Sequence, residues 1–468
     1  MPLRVKITLN DDESLASFRE SAVVDTSLLL EELRQKFQRN GRSVEVDFRK
    51  LVDWVRVGDQ LTHQIHPYPA KLLPNIAHFF TRASILHQQC RCVLDPFCGS
   101  GTVALEASLA GHTPYVADAN PLALLIAKVK TTPYEPDELR QTAYRIISRA
   151  ARFRTAPEVS IVNERLWYAQ DRKKSLEILL RAIMETTEGD KRDFFMVAFS
   201  VTARRLSFSD PAISVPVRLR TKEKFNETQN NKIKARLAWI DQTSSSAEFA
   251  RICEANIERV QESNHALKGR ITAVEVGSDA RDLKDPKSGN KPLEADSIPL
   301  IVTSPPYGSA QKYIRATSLS LNWLGFVGST ELSSLEGKSI GREHVPFRGH
   351  KEIREELPKA YEQLLRRVQQ KNKTRARITR QYLHEMKDAL SEMARVVSVG
   401  GSVVLVIGNN MVCGEPLRND KYVANVLQEL GLKLEIGLID HIKSRGLMTK
   451  RNKTASMITR ESVLVFTK

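Results

Sequence analysis

One short segment limits the folds open to this chain more than any other. From Arg91, an apolar strand runs into Asp95-Pro-Phe-Cys-Gly-Ser-Gly-Thr102 and then into an apolar helix that ends at Gly111. A second strand, Pro114 to Ala117, follows and is closed by Asp118. A strand, a glycine turn, a helix and another strand form a βαβ unit, whose strands are parallel and joined by a right-handed crossover. The segment therefore predicts an α/β fold built on a parallel sheet.

The turn between the first strand and the helix has the composition of a ligand-binding loop. Glycines let the backbone approach a ligand closely, and the following helix presents its N-terminal amides. A dinucleotide fingerprint would need a third glycine where Ala104 stands, and a P-loop would need a Gly-Lys-Ser/Thr ending that this turn lacks. We therefore expect a nucleoside-containing ligand, with Asp118 placed to accept both ribose hydroxyls. The alternative is a structural turn followed by a surface aspartate.

A second segment carries candidate catalytic groups. An apolar strand from Leu300 is followed by Ser304-Pro-Pro-Tyr307. Two prolines fix φ and remove two amide donors, so the segment cannot continue a strand ladder and holds its carbonyls outward. Such acceptors can bind an exocyclic amino group and draw its protons out of the ring plane, while Tyr307 stacks on the ring. By itself, the segment is equally typical of a loop.

The pattern along the chain divides it into six segments. Helical patterns and polar clusters interrupt the α/β pattern after the first core segment, and a second polar stretch interrupts it again. We predict an N-terminal extension (1–60), a core half with the glycine turn (61–130), a helical insertion (131–270), a core half with Ser-Pro-Pro-Tyr (271–326), a basic insertion (327–381) and a C-terminal part of the core (382–468).

The composition excludes several classes of protein. The 468 residues are 41% hydrophobic and 27% charged, which is typical of a globular protein with domains of roughly 100–200 residues. No run approaches the ~20 consecutive apolar residues of a membrane helix, and the first residues lack the apolar core of a signal peptide. We therefore expect a cytoplasmic protein with no membrane partner. Five cysteines without a Cys-x-x-Cys pair predict reduced thiols and no metal site.

The two motifs together resemble those of a known family, the amino-directed S-adenosylmethionine-dependent DNA methyltransferases. Asp95-Pro-Phe-Cys-Gly-Ser-Gly-Thr102 is similar to the cofactor motif of the family, and Thr303-Ser-Pro-Pro-Tyr307 to its catalytic motif. His66-Pro-Tyr-Pro-Ala-Lys-Leu-Leu-Pro74 resembles the element that packs beside the methionine end of the cofactor. Asp118 matches the acid that binds the ribose, and Asp279 is similar to the position that contacts the adenine.

The resemblance implies a fold, a cofactor, partners and site residues. The fold is a doubly wound α/β core with a mostly parallel, seven-stranded sheet, an antiparallel last strand (Glu461 to Phe466) and a largely helical insertion. The cofactor is S-adenosylmethionine, and the partners are double-stranded DNA and, as a candidate, a cognate restriction endonuclease. The implied cofactor-binding residues are His66, Pro67, Lys71, Asp95, Phe97, Gly99, Gly101, Thr102, Asp118 and Asp279. The implied catalytic residues are Ser304, Pro305, Pro306 and Tyr307, with no metal.

The first residue of the catalytic motif bears on the target atom. Family members with Ser at this position typically methylate cytosine N4, whereas Asp or Asn is typical of adenine N6. Ser304 therefore favours cytosine N4, and adenine N6 is the first alternative. Cytosine C5 is disfavoured because it needs a Pro-Cys pair, and Tyr307 follows Pro306 here. An RNA amino-methyltransferase and a catalytically silent DNA-binding member are further alternatives.

The net charge of +16 is consistent with a polyanionic partner. Three basic runs lie outside the motifs: Arg204 to Arg236 with nine Lys/Arg and three acids, Arg366 to Arg380 with seven and none, and His441 to Arg460 with six and none. We expect these runs to contact the DNA backbone, and a solvated surface is the alternative for each. Which insertion reads the DNA sequence stays open, with residues 131–270 as the candidate.

Overall fold

Eight strands of this protein form one mixed sheet. The computed structural model describes residues 25–52, 61–69, 71–87, 91–289, 291–308, 312–343, 356–442 and 458–468. In chain order the strands are β1 (Val44–Val46), β2 (Cys92–Asp95), β3 (Thr113–Val116), β4 (Val274–Glu275), β5 (Ile298–Thr303), β6 (Val397–Gly408), β7 (Asn410–Val412), β8 (Glu415–Leu417), β9 (Lys433–His441) and β10 (Arg460–Thr467). The sheet order is β1-β9-β10-β6-β5-β2-β3-β4, and β7 and β8 form a separate antiparallel hairpin.

The topology confirms a largely parallel α/β sheet and corrects the strand count. Seven strands were expected, but β1, which comes from the N-terminal extension, adds an eighth by pairing in parallel with β9. β10 is antiparallel as predicted, and it lies inside the sheet between β6 and β9. The strand predicted from Leu3 to Leu9 lies outside the described residues.

The strand order reverses between β2 and β5. From β2 the chain adds β3 and β4 on one side, and then returns to place β5 on the other side of β2. In open α/β sheets, ligands bind outside the carboxyl ends of the strands at such a switch point. Both sequence motifs follow the two strands that flank it.

Sixteen α-helices lie in the part of the chain that the structure describes. They are α1 (Ser27–Asn40), α2 (Phe48–Leu51), α3 (Pro74–Thr81), α4 (Thr102–Leu109), α5 (Pro121–Thr131), α6 (Pro136–Ala150), α7 (Glu164–Trp167), α8 (Gln170–Thr186), α9 (Gly189–Arg205), α10 (Glu227–Gln242), α11 (Ser245–Ala266), α12 (Tyr313–Trp323), α13 (Leu332–Lys338), α14 (Lys359–Lys371), α15 (Lys373–Val396) and α16 (Asn419–Glu429). Six of them, α6 to α11, lie in the predicted helical insertion.

Helices cover both faces of the sheet, as alternate side chains of β5 show. Leu300 and Val302 join one buried cluster with Phe79 and Phe80 of α3, whereas Ile301 joins a second cluster with residues of α15 and α16. Strands buried on both faces are typical of doubly wound folds. The helices of the insertion have a third apolar core, built around phenylalanines of α9, which also includes residues of α5.

The turn after β2 depends on two glycines with positive φ. Gly99 has a φ of +47° and Gly101 a φ of +69°. A Cβ on Gly101 would lie 2.7 Å from the Cα of Ala127 in α5. Lys130, fully buried in the same helix, donates from Nζ to the carbonyl oxygen of Ser100 at 2.5 Å. Helix α5 therefore holds the turn from behind, and only glycine at 101 allows this contact.

A buried carboxylate ties β2 to β5. Oδ1 of Asp95, at the end of β2, accepts a hydrogen bond from the Thr303 hydroxyl at 2.6 Å and another from the Phe97 amide at 3.2 Å. Asp95 is 4% exposed, and this burial raises its pKa to about 7. Because Thr303 directly precedes Ser304, this hydrogen bond fixes the start of the second motif relative to the first.

Replacement of Gly101 should be costly. Gly101→Ala should lower the free energy of unfolding by about 2–4 kcal/mol, because the methyl group would overlap α5 and alanine disfavours a positive φ. Gly111→Ala is the matched control, since its φ is +80° but no atom lies within 4 Å of the added Cβ. It should cost only about 1 kcal/mol. Chemical denaturation without ligand measures both losses, and equal losses would contradict the contact with α5.

Replacement of Asp95 should stabilise the protein at high pH. The folded state raises the pKa of this carboxyl from 3.8 to about 7, so its contribution to stability falls as the pH rises through that window. Asp95→Asn keeps an oxygen acceptor for Thr303 and Phe97 without a buried charge.

We expect Asp95→Asn to be more stable than the wild type by roughly 1–3 kcal/mol at pH 8 and little different near pH 4. Urea denaturation at both pH values measures the difference. A variant that is less stable than the wild type at pH 8 would show that the charged carboxylate is favourable in the folded state.

Candidate active site

The carboxyl ends of β2, β3 and β5 open onto one cleft. Six of the predicted site residues line it: Phe97, Gly99, Asp118, Asp279, Ser304 and Pro306. They come from the glycine turn, from the loops after β3 and β4, and from the segment after β5. The two sequence motifs, more than 200 residues apart in the chain, therefore form two walls of the same cleft.

Asp118 is held by backbone amides from both sides of the cleft floor. Its Oδ2 accepts a hydrogen bond from the Gly99 amide at 2.9 Å, and its Oδ1 accepts one from the Asn120 amide at 2.8 Å. Burial raises the pKa of Asp118 to about 6 in spite of these two bonds. Each carboxylate oxygen has a second lone pair. The side chain can therefore accept two further hydrogen bonds, such as those from two neighbouring hydroxyls.

Asp279 also lines the cleft, and its carboxylate has a cationic partner. Arg281 donates to it from Nε at 2.8 Å and from Nη2 at 2.7 Å. The guanidinium lies 3.4 Å from Oε1 of the buried Glu385, which also accepts from Arg342 at 2.7 Å. This network fixes the loop after β4 beside the cleft.

Tyr307 stands behind the cleft wall with its ring against the end of β6. A Cβ on Gly408 would lie 2.8 Å from Cδ2 of the tyrosine ring, so the strand backbone packs directly on the ring. The Tyr307 carbonyl accepts hydrogen bonds from Asn410 at 2.7 Å and from Asn419 at 2.9 Å. The Pro306 carbonyl accepts one from the Tyr382 hydroxyl at 2.8 Å. The Ser-Pro-Pro-Tyr segment is thus held by contacts with four other elements, β6, β7, α15 and α16.

The Tyr307 hydroxyl connects Ser304 to a carboxylate on another strand. It lies 3.0 Å from Oγ of Ser304 and donates to Oε1 of Glu461 at 2.7 Å. Glu461 is in β10, paired with Gly408 of β6 and Asp440 of β9. Burial raises the pKa of the Glu461 carboxyl and of the Tyr307 phenol. No sequence motif contains Glu461, since it lies 154 residues from Tyr307.

Several other predicted site residues lie away from the cleft lining. His66 is buried with Nε2 3.1 Å from the Ser200 hydroxyl, and burial lowers its pKa to about 3. Lys71 donates to the His63 carbonyl at 3.0 Å, and Pro67 is exposed.

Four other predicted site residues lie inside the two motif turns and not at the cleft lining: Asp95, Gly101, Thr102 and Pro305. The first two join strands and helices as described above, and Thr102 and Pro305 are buried. Their part in the site is thus to support the cleft lining.

The structure adds cleft residues that the sequence did not single out. Nδ2 of Asn120 donates to the Tyr68 hydroxyl and to the Thr317 hydroxyl, both at 3.1 Å, and its Oδ1 accepts from the Leu122 amide to cap α5. Asn followed by Pro121 is a typical helix start, so this pattern could have identified Asn120. Lys338, Ser339 and Ile340 also line the cleft, although they lie in the segment predicted as a basic insertion.

The described parts of the basic runs are partly neutralised within the protein. In the run 204–236, Arg204 donates to three backbone carbonyls, Arg205 pairs with Glu248, and Arg236 lies over Trp239 at 4.1 Å. Five other basic residues of this run are exposed: Arg218, Arg220, Lys224, Lys232 and Lys234.

Several cations of the run 366–380 pair with acidic residues that lie outside the run. Arg367 and Lys371 pair with Glu415, and Arg380 pairs with Glu362. Residues 443–457 of the third run lie outside the described residues.

Two other features are absent from the described ranges. No group of three or more His, Cys, Asp or Glu side chains there could hold a metal ion. No helix among the described residues is both long and apolar enough to cross a membrane.

Comparisons with known proteins agree with the geometry of the cleft. Residues 64–148 match the family model described as UPF0020: RMKL-like, methyltransferase domain. The Type II methyltransferase M.MvaI of Kocuria varians is 26% identical over 304 residues, which cover 60% of this chain and 62% of M.MvaI. The Type II methyltransferase M.MjaII of Methanocaldococcus jannaschii is 29% identical over 91 residues, 19% of this chain and 17% of that protein.

The chain thus spans about three fifths of the length of M.MvaI and less of the other relative. No solved structure matches the chain significantly. The matched family segment contains β2, its glycine turn and β3, which carry one wall of the cleft. The family model and the relatives together support a methyltransferase that is similar to type II methyltransferases.

Proposed function

We propose that this protein transfers a methyl group from S-adenosylmethionine to an exocyclic amine in DNA, with cytosine N4 as the target. The observation that carries the proposal is the position of Ser304 and Pro306 in the same cleft as Gly99 and Asp118. A nucleoside-binding turn and a set of amine acceptors in one cleft suit transfer between a nucleoside cofactor and a base. The similarity to type II methyltransferases supports DNA as the substrate.

The donor set of the cleft fits S-adenosylmethionine. Asp118 has lone pairs available for both ribose hydroxyls, and Gly99 leaves the backbone of the turn open to a ligand. Asp279 and Phe97 offer a polar and an apolar contact for the adenine. Hydroxyl donors would stabilise the charged form of Asp118, which burial disfavours in the free protein.

The residues of this chain would act by orienting the target amine relative to the methyl group of the cofactor. The cofactor supplies a methyl group that is already activated, so the protein needs no metal or covalent intermediate for the transfer. Ser304 Oγ accepts a hydrogen bond from the target amine, and Pro306 lines the cleft beside it. The Pro305 carbonyl and the Tyr307 ring lie behind this lining, so the direct contacts expected of them would need both groups to move into the cleft. Because the amine is unreachable within a base stack, the base must be extruded into the cleft. Correct placement of the reacting atoms provides much of the rate.

Ser304 supports cytosine N4, and adenine N6 is the alternative, since the same acceptors suit either amine. Cys98 does not favour a C5 mechanism, which needs a thiolate. It is buried in the glycine turn, and burial raises the pKa of its thiol well above the ordinary value. This supports the amino group, rather than C5, as the target.

The exposed lysines and arginines between 218 and 234 support contact with DNA phosphates, which is independent of sequence and sensitive to salt. The segment 131–270 is our candidate for target recognition. We further propose a cytoplasmic role in restriction-modification, with a cognate restriction endonuclease as the partner. The type II names of the relatives support this role.

The nucleoside that receives the methyl group tests the proposal. The protein is incubated with methyl-labelled S-adenosylmethionine and DNA of mixed sequence, the DNA is digested, and the nucleosides are separated. We expect the label on N4-methyldeoxycytidine. Label on N6-methyldeoxyadenosine would replace the cytosine target, and label on RNA alone would exclude DNA as the substrate. DNA binding without any label would indicate a catalytically silent binding protein.

The cofactor site can be tested separately. Asp118→Asn should weaken S-adenosylmethionine binding by about 10- to 100-fold, because the loss of hydrogen bonds to a charged acceptor costs roughly 1.5–3 kcal/mol. Asp282→Asn is the matched control, since Asp282 lies in the same loop as Asp279 but pairs with Lys284 at 2.6 Å and lines neither cavity that Asp118 lines. Its affinity should stay within about threefold. Isothermal titration calorimetry measures both, and equal affinities for the two variants would refute the ribose role of Asp118.

A further inference from the structure

Three side chains form a chain of hydrogen bonds that leads out of the cleft. Ser304 lines the cleft, Tyr307 lies behind it, and Glu461 lies behind Tyr307 on β10. The oxygen-to-oxygen distances are 3.0 Å from Ser304 to Tyr307 and 2.7 Å from Tyr307 to Glu461. Both distances lie within hydrogen-bonding range for oxygen donors.

The direction of the bonds follows from the number of protons. A phenol has one proton, and Tyr307 donates it to Oε1 of Glu461. Its oxygen can therefore only accept from Ser304, which has one proton of its own. The Ser304 oxygen is then left with lone pairs towards the cleft. The hydrogen bonds therefore run in one direction. A proton accepted at Ser304 can be passed through Tyr307 to Glu461.

We propose that Glu461 is the terminal acceptor for the proton that the target amine loses, through Ser304 and Tyr307. This inference rests on the proposed function. The amine nitrogen uses its lone pair to bond the methyl carbon, and the electron pair of the broken carbon–sulfur bond stays on sulfur. The nitrogen then carries one proton too many. That proton passes to Ser304 Oγ, the serine proton to Tyr307 Oη, and the phenol proton to the Glu461 carboxylate.

The surroundings of Glu461 suit this role. A serine hydroxyl is too weak a base to keep a proton, so a cleft with Ser at this position needs a stronger acceptor nearby. Burial raises the pKa of Glu461, and Asp440 on the next strand raises it further, whereas Arg49 and the bond from Tyr307 lower it. Glu461 is half-buried, so a bound proton can later pass to water.

The backbone holds the three groups in place. Glu461 is directly opposite Gly408 in the β6–β10 pair, and Gly408 is the residue on which the Tyr307 ring packs. Only a residue without a side chain at 408 leaves room for the ring. The register of the β6–β10 pair therefore sets the position of the Tyr307 phenol relative to the Glu461 carboxylate.

Replacement of the carboxylate by an amide tests the proton acceptor. Glu461→Gln keeps an oxygen acceptor for Tyr307 but removes the base. In single turnovers at saturating DNA and cofactor, we expect its rate constant to fall on the order of 10²-fold. The KM for DNA and the affinity for cofactor should stay within about threefold. Glu461→Asp should recover part of the rate.

Glu435→Gln is the matched control. It makes the same substitution at a half-buried carboxylate of the neighbouring strand β9, where Glu435 pairs with Lys433 at 2.9 Å. Its rate should remain within about threefold of the wild type. An equal loss of rate in Glu435→Gln and Glu461→Gln would overturn the specific role of Glu461, as would a Glu461→Gln variant with the wild-type rate. Loss of cofactor binding or of thermal stability in Glu461→Gln would show a structural role instead.

A second measurement needs neither cofactor nor DNA. Carbon-13 NMR of a protein labelled at the glutamate carboxyls gives the pKa of Glu461, assigned by its absence in Glu461→Gln. Tyr307→Phe removes the hydrogen bond that stabilises the carboxylate, so it should raise this pKa, whereas Ser304→Ala should change it less. If the pKa of Glu461 is unchanged in Tyr307→Phe, the hydrogen bond between Tyr307 and Glu461 is absent and the proposal is overturned. A wild type that labels no nucleoside would contradict the proposed function, whatever the titration shows.

Discussion

The hydrogen bond from Thr303 to Asp95 is the constraint on which the site depends. It joins the ends of the two strands between which the sheet reverses its order, and both candidate motifs begin at these ends. The glycine turn continues from Asp95 to Gly99 and is closed by the Asp118 carboxylate. The Ser-Pro-Pro-Tyr segment continues from Thr303. Buried polar groups need partners, so the pair holds the two walls of the cleft at a fixed separation.

Local sequence predicted the elements of the site well, because each motif is a strand followed by a turn with special backbone requirements. The strands β2, β3 and β5, the glycine turn and the largely helical character of the insertion follow from apolar periodicity and from the positions of glycine and proline. The sequence could not predict β1 as the eighth strand. A three-residue strand has too little periodicity to be recognised, and its pairing with β9 is a long-range contact.

The same distinction applies to individual side chains. Asp118 is identified by its place at the end of a strand, whereas Glu461 reaches the Tyr307 hydroxyl only because β10 pairs with β6. The charge of the basic runs shows the same limit of sequence-based prediction. The run from Arg366 to Arg380 contains no acid, and a one-dimensional count assigns all of its charge to the surface. In the folded protein, Glu362 and Glu415 neutralise three of its cations. The excess charge of a segment is therefore a poor measure of the charge it presents.

The place of β10 in the sheet also has a consequence for biosynthesis. Among the strands of the sheet it is the last to be made, yet it lies between β6 and β9 and carries Glu461. Chains generally fold from the N-terminal end during synthesis. The glycine turn and Asp118 are therefore synthesised and can begin to fold well before β10. The Tyr307 hydroxyl gains its carboxylate partner only when β10 has joined the sheet, so the contact between Ser304, Tyr307 and Glu461 is completed after the glycine turn and Asp118 have been made.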